Sequence, residues 1–400
     1  MNITVRVGYL GKVITGNTPP RSNPELYGNY IPFIKATDIS ENEKYTYTPE
    51  EYYSEEGFRK YKTSLIPKHS TCVVTIGSIG KKMTMACQDC FINQAMNAII
   101  PNNDYDYEYV YYLLKNNIHK LKNLDSGTAS GRENVSKSAF MGMELSVIKD
   151  KVTQKRIGSI LSAYDDLIEN NQKHIKLLEE AAQRLYKEWF VDLRFPGHES
   201  VKIVDGVPEG WNKVRLDEVT SVLKRGISPK YDENGEFTVI NQKCIRKNIV
   251  DYSESRKQSK KYAEELQLQE SDTVICSTGI GTLGRVGQIY NVYQNSTFDS
   301  HVTLVRANKL IGKQFLFWSL KLLQPYLMSL GKGSTNQQEL YKSDLTACFL
   351  LLPEEYIMNV FERQAQELHD IIAVKTKQIS SLREARDRLL PKLMSGEIEV

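Results

Sequence analysis

Three short runs carry residue types that do chemistry in other proteins, and each fails on its context. Gly279-Ile-Gly281-Thr-Leu-Gly284 has the spacing of a dinucleotide-binding turn, follows the strand-like Thr273-Val-Ile-Cys276 and has Asp299 downstream. A pyrophosphate needs a helix N-terminus at that place, yet Arg285-Val-Gly-Gln-Ile-Tyr290 continues as an alternating strand. A glycine turn between two strands is the better reading. Cys87-Gln-Asp-Cys90 has the spacing of half a zinc site, but no second pair follows, so the six scattered cysteines read as reduced thiols. Asn17-Thr-Pro-Pro20 resembles the motif of amino-methyltransferases only superficially, and no Walker A sequence occurs. The expectation is a chain that has no catalytic residues, holds no metal and binds no cofactor of its own.

The elements around these runs say more. Ile157, Leu161, Tyr164, Ile168, Asn171, Ile175, Leu178, Ala182, Leu185 and Trp189 alternate spacings of four and three, the stripe of a coiled-coil helix. Adding 204 to each gives Phe361, Ala365, Leu368, Ile372, Lys375, Ile379, Leu382, Arg386, Leu389 and Leu393. Even the polar interruption recurs, Asn171 answering Lys375. Two unrelated amphipathic helices on separate cores would not share one phase over ten positions. A helix over 153–190 is roughly 57 Å long at 1.5 Å per residue. For the second helix to bury its stripe against the first it must run back antiparallel, placing the two globular parts at opposite ends.

The globular parts repeat too. Leu10-Gly-Lys-Val13 is answered by Leu216-Asp-Glu-Val219, with Gly16 and Pro19 matching Gly226 and Pro229. Gly77-Ser-Ile-Gly80-Lys81 is answered by Gly281-Thr-Leu-Gly284-Arg285, and Phe91-Ile-Asn-Gln94 by Phe298-Asp-Ser-His301. Gly127-Thr128 and Gly333-Ser334 each precede a polar stretch ending in Lys-Ser, at Lys137-Ser138 and Lys342-Ser343. Runs 71–76, 83–87, 273–277, 285–290 and 302–305 read as strands, and segments near 107–122 and 312–330 as helices. Residues 194–212 have the Pro and Gly punctuation of a connector. The predicted fold is α+β: a globular domain over 1–150, a helical spacer over 151–193, a connector with a second globular domain over 194–353, and a second spacer over 354–400.

With 40% hydrophobic and 25% charged residues, the composition is that of an ordinary globular protein. No apolar run reaches membrane-spanning length. The start, Met1-Asn2-Ile3-Thr4-Val5-Arg6, lacks an apolar signal core, so a cytoplasmic location is expected. A net charge of +3 permits a polyanionic partner without demanding one.

At these residues the chain resembles the specificity subunits of type I restriction–modification enzymes. The likeness spans essentially the whole sequence. It rests on Pro208-Glu-Gly-Trp211 followed by Leu216, both Gly-x-x-Gly-Lys/Arg turns, the Gly-Thr/Ser to Lys-Ser stretches, the helical regions from Ile157 and Phe361, and the ending Leu390-Pro-Lys-Leu-Met-Ser-Gly-Glu-Ile398. One departure is the start, Val5-Arg-Val-Gly-Tyr-Leu10, which lacks a Pro-Glu-Gly-Trp lead. The resemblance implies two target recognition domains, each reading one half of a split, asymmetric site on double-stranded DNA, with the helices as spacer. It also implies two modification subunits that bind S-adenosylmethionine and methylate adenine, and restriction subunits that use ATP and Mg.

Base edges are read by Arg, Lys, Asn and Gln, and phosphates by basic and hydroxyl side chains. Candidate DNA-binding residues are Arg21, Lys35, Thr37, Lys81, Lys82, Arg132, Asn134 and Lys137 in the first half. In the second they are Lys224, Arg225, Lys230, Lys243, Arg246, Lys247, Arg285, Lys332, Ser334, Asn336, Gln337, Gln338 and Lys342. The tyrosine clusters at 45–53 and 105–112 read as core. Trp189 and Phe190 fit either a partner-docking anchor or burial in the protein's own joint. Two further readings stay open: a divergent methyltransferase or nuclease acting alone, and a scaffold with no nucleic-acid role.

Overall fold

The computed structural model describes residues 2–127, 131, 133–279, 281–333 and 338–400. They form two compact units, one of residues 1–170 with 379–400 and the other of residues 171–378.

In the first unit, strands β1 (Gly11–Thr15), β2 (Ile31–Ile34), β3 (Glu51–Tyr53), β4 (Thr71–Val74), β5 (Met83–Met85), β6 (Phe91–Ile92) and β7 (Met96–Pro101) build two sheets. One has the order β1-β7-β4-β5. In the other β3 pairs antiparallel with β2, and β2 runs parallel to β6. Helix α1 (Tyr107–Asn117) is capped by Asp106, whose carboxylate accepts from the amides of Glu108 and Tyr109 at 3.0 Å. The tyrosine reading holds for Tyr53, Tyr109, Tyr111 and Tyr112, all buried, while Tyr47 and Tyr107 are exposed. Helix α2 (Lys151–Phe190) gives its first half to this unit. It begins six residues ahead of the stripe because Asp150 caps it, accepting from the Thr153 amide at 2.8 Å.

The second unit repeats the design. Strands β8 (Thr220–Arg225), β9 (Phe237–Ile240), β10 (Arg256–Gln258), β11 (Thr273–Cys276), β12 (Val286–Gln288), β13 (Ser296–Phe298) and β14 (Val302–Ala307) recur in the orders β8-β14-β11-β12 and β10-β9-β13. The larger sheet is extended by Ile249–Val250 and Ile245–Arg246, and β9 again runs parallel to β13. Helix α3 (Lys313–Leu322) stands where α1 stands in the first unit. Helix α4 (Glu355–Ser395) contributes its N-terminal part here and its C-terminal part to the first unit.

α2 and α4 pack together antiparallel. In the second unit Lys375 donates to Asn171 at 3.3 Å, and Tyr186 and Trp189 meet Phe361, so the two polar interruptions read from the sequence pair with each other. In the first unit Ile157 and Leu161 share a core with Leu390, Leu393 and Met394. Along the spacer, Ile157, Leu161, Ile168, Ile175, Phe361, Ile372 and Ile379 are buried, and Tyr164, Leu178, Leu185, Leu368, Leu382 and Leu389 are half-buried. Trp189 and Phe190 are buried with Phe195, Trp211 and Phe315 in the core of the second unit, which removes them as partner anchors.

Candidate nucleic-acid interface

The dinucleotide-like run is a hairpin turn between β11 and β12, and its counterpart joins β4 to β5. Gly77, Gly80, Gly281 and Gly284 all have φ between +70° and +88°, where a side chain is strained. Conformational need, rather than phosphate binding, explains the repeated glycines.

Next to each hairpin a polar loop is stapled to the same place. In the first unit Asn134 bridges to Ile76, and the Val135 amide donates to Thr75. Asp125 accepts from the amides of Gly127 and Asn134 at 2.8 and 2.7 Å, and those bonds hold its carboxyl below the usual range. In the second unit Glu339 bridges to Thr278, and the Leu340 amide donates to Ser277. Each Lys-Ser pair opens a short helix, Lys137–Gly142 or Lys342–Thr346. Arg132, Ser334, Asn336 and Gln337 lie outside the described residues.

The other candidates fall into groups. Arg21 and Lys35 converge on Glu51 at 2.8 and 3.0 Å, Lys35 also reaching Glu50 at 2.6 Å. The hydrogen bond from Arg21, joined by that from Lys35, pulls the Glu51 carboxyl down against its partial burial. Lys82 points at the Ala36 carbonyl beside Thr37, so Arg21, Lys35, Thr37 and Lys82 share one edge. Arg246 donates to the Lys243 carbonyl and pairs with Glu254 at 3.3 Å, while Arg285 donates to the Ile245 carbonyl, gathering Lys243, Arg246 and Arg285. Arg225 meets Glu339 at 3.4 Å, and Lys332 meets Asp344 at 2.7 Å, which ties both to the second polar loop. Lys224 is taken by Glu265. Asn134 is half-buried, and Lys81, Lys137, Lys230, Lys247, Gln338 and Lys342 are exposed.

Sequence reasoning passed over Tyr231, Asn241, Gln242, Arg256 and His301, which line a cavity of about 350 Å³ in the second unit. Only His301 had a signal, through its alignment with Gln94. For metals, Glu270, His369 and Asp370 bring donor atoms within 4.8 Å of one another. The two carboxylates there are exposed, and the buried His369 ring already has neighbours in Ser271 and Gln366. The six cysteines are free thiols, and burial raises those of Cys87 and Cys90. Among the described residues no helix is long and apolar enough to cross a membrane.

The family model for the type I restriction modification DNA specificity domain matches the chain twice, at residues 3–180 and 208–377. The chain belongs to that family. As a member it is a DNA-specificity component and not itself an enzyme. The type I restriction enzyme MjaIX specificity subunit of Methanocaldococcus jannaschii is 27% identical over 98% of this chain and 92% of its own length. The EcoR124I/EcoR124II specificity subunit of Escherichia coli is 26% identical over 47% of each chain. A type I restriction–modification S subunit from M. genitalium has the same fold, with a TM-score of 0.60 at 17% identity, covering 98% of this chain and 96% of that one.

Proposed function

We propose that this chain reads a bipartite, asymmetric site on double-stranded DNA, one half-site per unit, for a type I restriction–modification complex. The observation that carries this reading is repetition with substitution. One topology occurs twice, with the same turns in the same places, while the exposed side chains differ between the copies. Two such heads read two unlike sequences, and α2 with α4 sets the gap between them. Two modification subunits supply S-adenosylmethionine and methylate adenine. Restriction subunits supply ATP- and Mg-dependent translocation and cleavage. The chain itself binds none of these cofactors, and it works in the cytoplasm with its DNA.

The test is to reconstitute the chain with its modification subunits and map methylated adenines across a genome. The expected result is one split motif with a fixed gap and unlike halves. Methylation without sequence preference rejects the reading. Binding should also weaken steeply with salt, as phosphate contacts release counterions.

A further inference from the structure

In each unit three strand ends meet at one edge of the sheet that contains the parallel pair, β2 with β6 or β9 with β13. In the first unit Phe33 pairs with Glu51 and Ile34 with Ile92, so Lys35, Glu51 and the Asn93-Gln94 pair sit side by side. In the second unit Val239 pairs with Arg256 and Ile240 with Phe298, so Asn241, Arg256 and the Asp299–His301 segment occupy the same places. A glycine then lays the next segment across this edge. A Cβ on Gly16 would lie 2.2 Å from the carbonyl oxygens of Ile92 and Asn93, and one on Gly226 lies 2.2 and 2.3 Å from those of Phe298 and Asp299. Arg21 follows the first glycine and Tyr231 the second.

The backbone is therefore shared and the side chains are not. At one register position the charge is reversed, Glu51 in one unit and Arg256 in the other. Glu51 is held by Arg21 and Lys35. Arg256 lies over the Tyr231 ring, its guanidinium carbon 3.5 Å from the ring centre. Asn241 is fixed by donating to the Glu254 carbonyl at 3.1 Å and accepting from the Lys243 amide at 2.8 Å. His301 is fixed at Nδ1 by Thr278, 2.6 Å away, and its amide donates to the buried Asp299 at 2.9 Å. Gln242 Oε1 is buried and finds no hydrogen-bond partner among the described residues.

We propose that this edge is the base-reading surface of each unit, and that Arg256 reads a guanine in the half-site of the second unit. The inference rests on the DNA-reading function proposed above and says which atoms do the reading. A guanidinium held against an aromatic ring presents its paired N–H donors as a fork, which matches guanine O6 and N7. The cavity beside it is walled by the amides of Asn241 and Gln242 and by His301, groups that pair with base edges. In the first unit the same place offers the Glu51 carboxylate, an acceptor suited to the cytosine amino group.

The experiment uses the full chain assembled with its modification subunits, with methylated adenines mapped for wild type, Arg256→Lys, Arg256→Gln and Glu51→Gln. Arg256→Lys keeps the charge and loses the fork, and Arg256→Gln keeps a planar group over Tyr231. Both are expected to relax one guanine position in one half-site by roughly 5- to 100-fold, leaving the other half-site unchanged. Glu51→Gln is expected to relax the opposite half-site instead. An unchanged motif with uniformly weaker methylation in Arg256→Gln, restored by Arg256→Lys, would mean a phosphate contact and overturn the inference. So would an unchanged motif at full activity. A wild-type complex without any preferred sequence is a different result, and it removes the DNA-reading function itself.

Discussion

The two units solve one problem, seating a globular head on a pair of helices, with opposite chemistry. In the first unit the helix pair carries aliphatic side chains and a buried ion pair. Ile157, Leu161, Leu390, Leu393 and Met394 share one core, Asp165 and Arg386 pair closely, and the Tyr112 hydroxyl donates to Asp165 at 2.5 Å. Burial opposes the charge on Asp165, but Lys115 and Arg386 hold its carboxyl below the usual range. In the second unit the positions 204 residues away are aromatic or small. Phe361 answers Ile157, Trp189 answers Leu393, Phe190 answers Met394, and Ala182 stands where Arg386 would be. The charged pair itself is answered by His369 and Ala182, so it does not belong to the fold as such.

Helix capping shows the same exchange. α1 carries its own cap in Asp106, and the helix packed on it has Gly158, whose Cβ would crowd the Asp106 carboxylate at 2.9 Å. α3 is preceded at its N-cap by Gly312, which has no side chain to cap with. There Glu362, the counterpart of Gly158, reaches over and accepts from the amides of Gln314 and Phe315 at 3.0 to 3.2 Å. A cap donated by the helix in one copy is donated by its neighbour in the other.

All three tryptophans, Trp189, Trp211 and Trp318, lie in the second unit, so their fluorescence reports that unit alone. The largest expected effect breaks the ion pair. Arg386→Leu leaves Asp165 buried without its guanidinium and should cost the first unit about 3–5 kcal/mol. Far-ultraviolet circular dichroism should then show an early transition that the tryptophans do not follow. Adding Asp165→Leu should recover most of the loss, and an additive double variant would contradict the pairing.

A smaller effect separates the units by pH. Burial pushes the Glu179 carboxyl, in the second unit, up to about 7. Between about pH 4.5 and 7 the folded unit keeps a proton that the unfolded chain has released, so stability falls as pH rises through that window. Glu179→Gln should flatten the fall, which amounts to about 3–4 kcal/mol, when denaturation is followed by tryptophan fluorescence. A slope equal to wild type would assign the titration elsewhere.

The smallest effect tests the exchanged cap. Glu362→Ala should cost the second unit about 1 kcal/mol. Gly312→Asp, giving α3 the cap that α1 has, should restore most of it in the double variant. No recovery would mean that Glu362 acts through packing rather than by capping.

The helices, their phase and the repeated turns were legible because each is written in a short stretch with a fixed spacing. Gly77, Gly80, Gly281 and Gly284 recur because the left-handed backbone of a tight hairpin leaves few alternatives. The ion pair was half legible. Arg386 occupied a core position of the stripe, and a cation there implies a buried anion, but nothing local named Asp165. The reading edge was not legible, since Arg256, Asn241 and His301 come from three strands and meet only through sheet register. Arg21 and Lys35 were found by residue type, whereas Glu51, which organises them, was missed because a carboxylate is not sought on a surface meant for DNA.

The Asp165–Arg386 pair bears on what a chimera of two such chains requires. A chimera taking residues 1–170 from one parent and the remainder from another inherits each capping arrangement whole, because Asp106 travels with Gly158 and Gly312 with Glu362. It inherits Asp165 and Arg386 from different parents, so the ion pair survives the exchange only where both parents carry it.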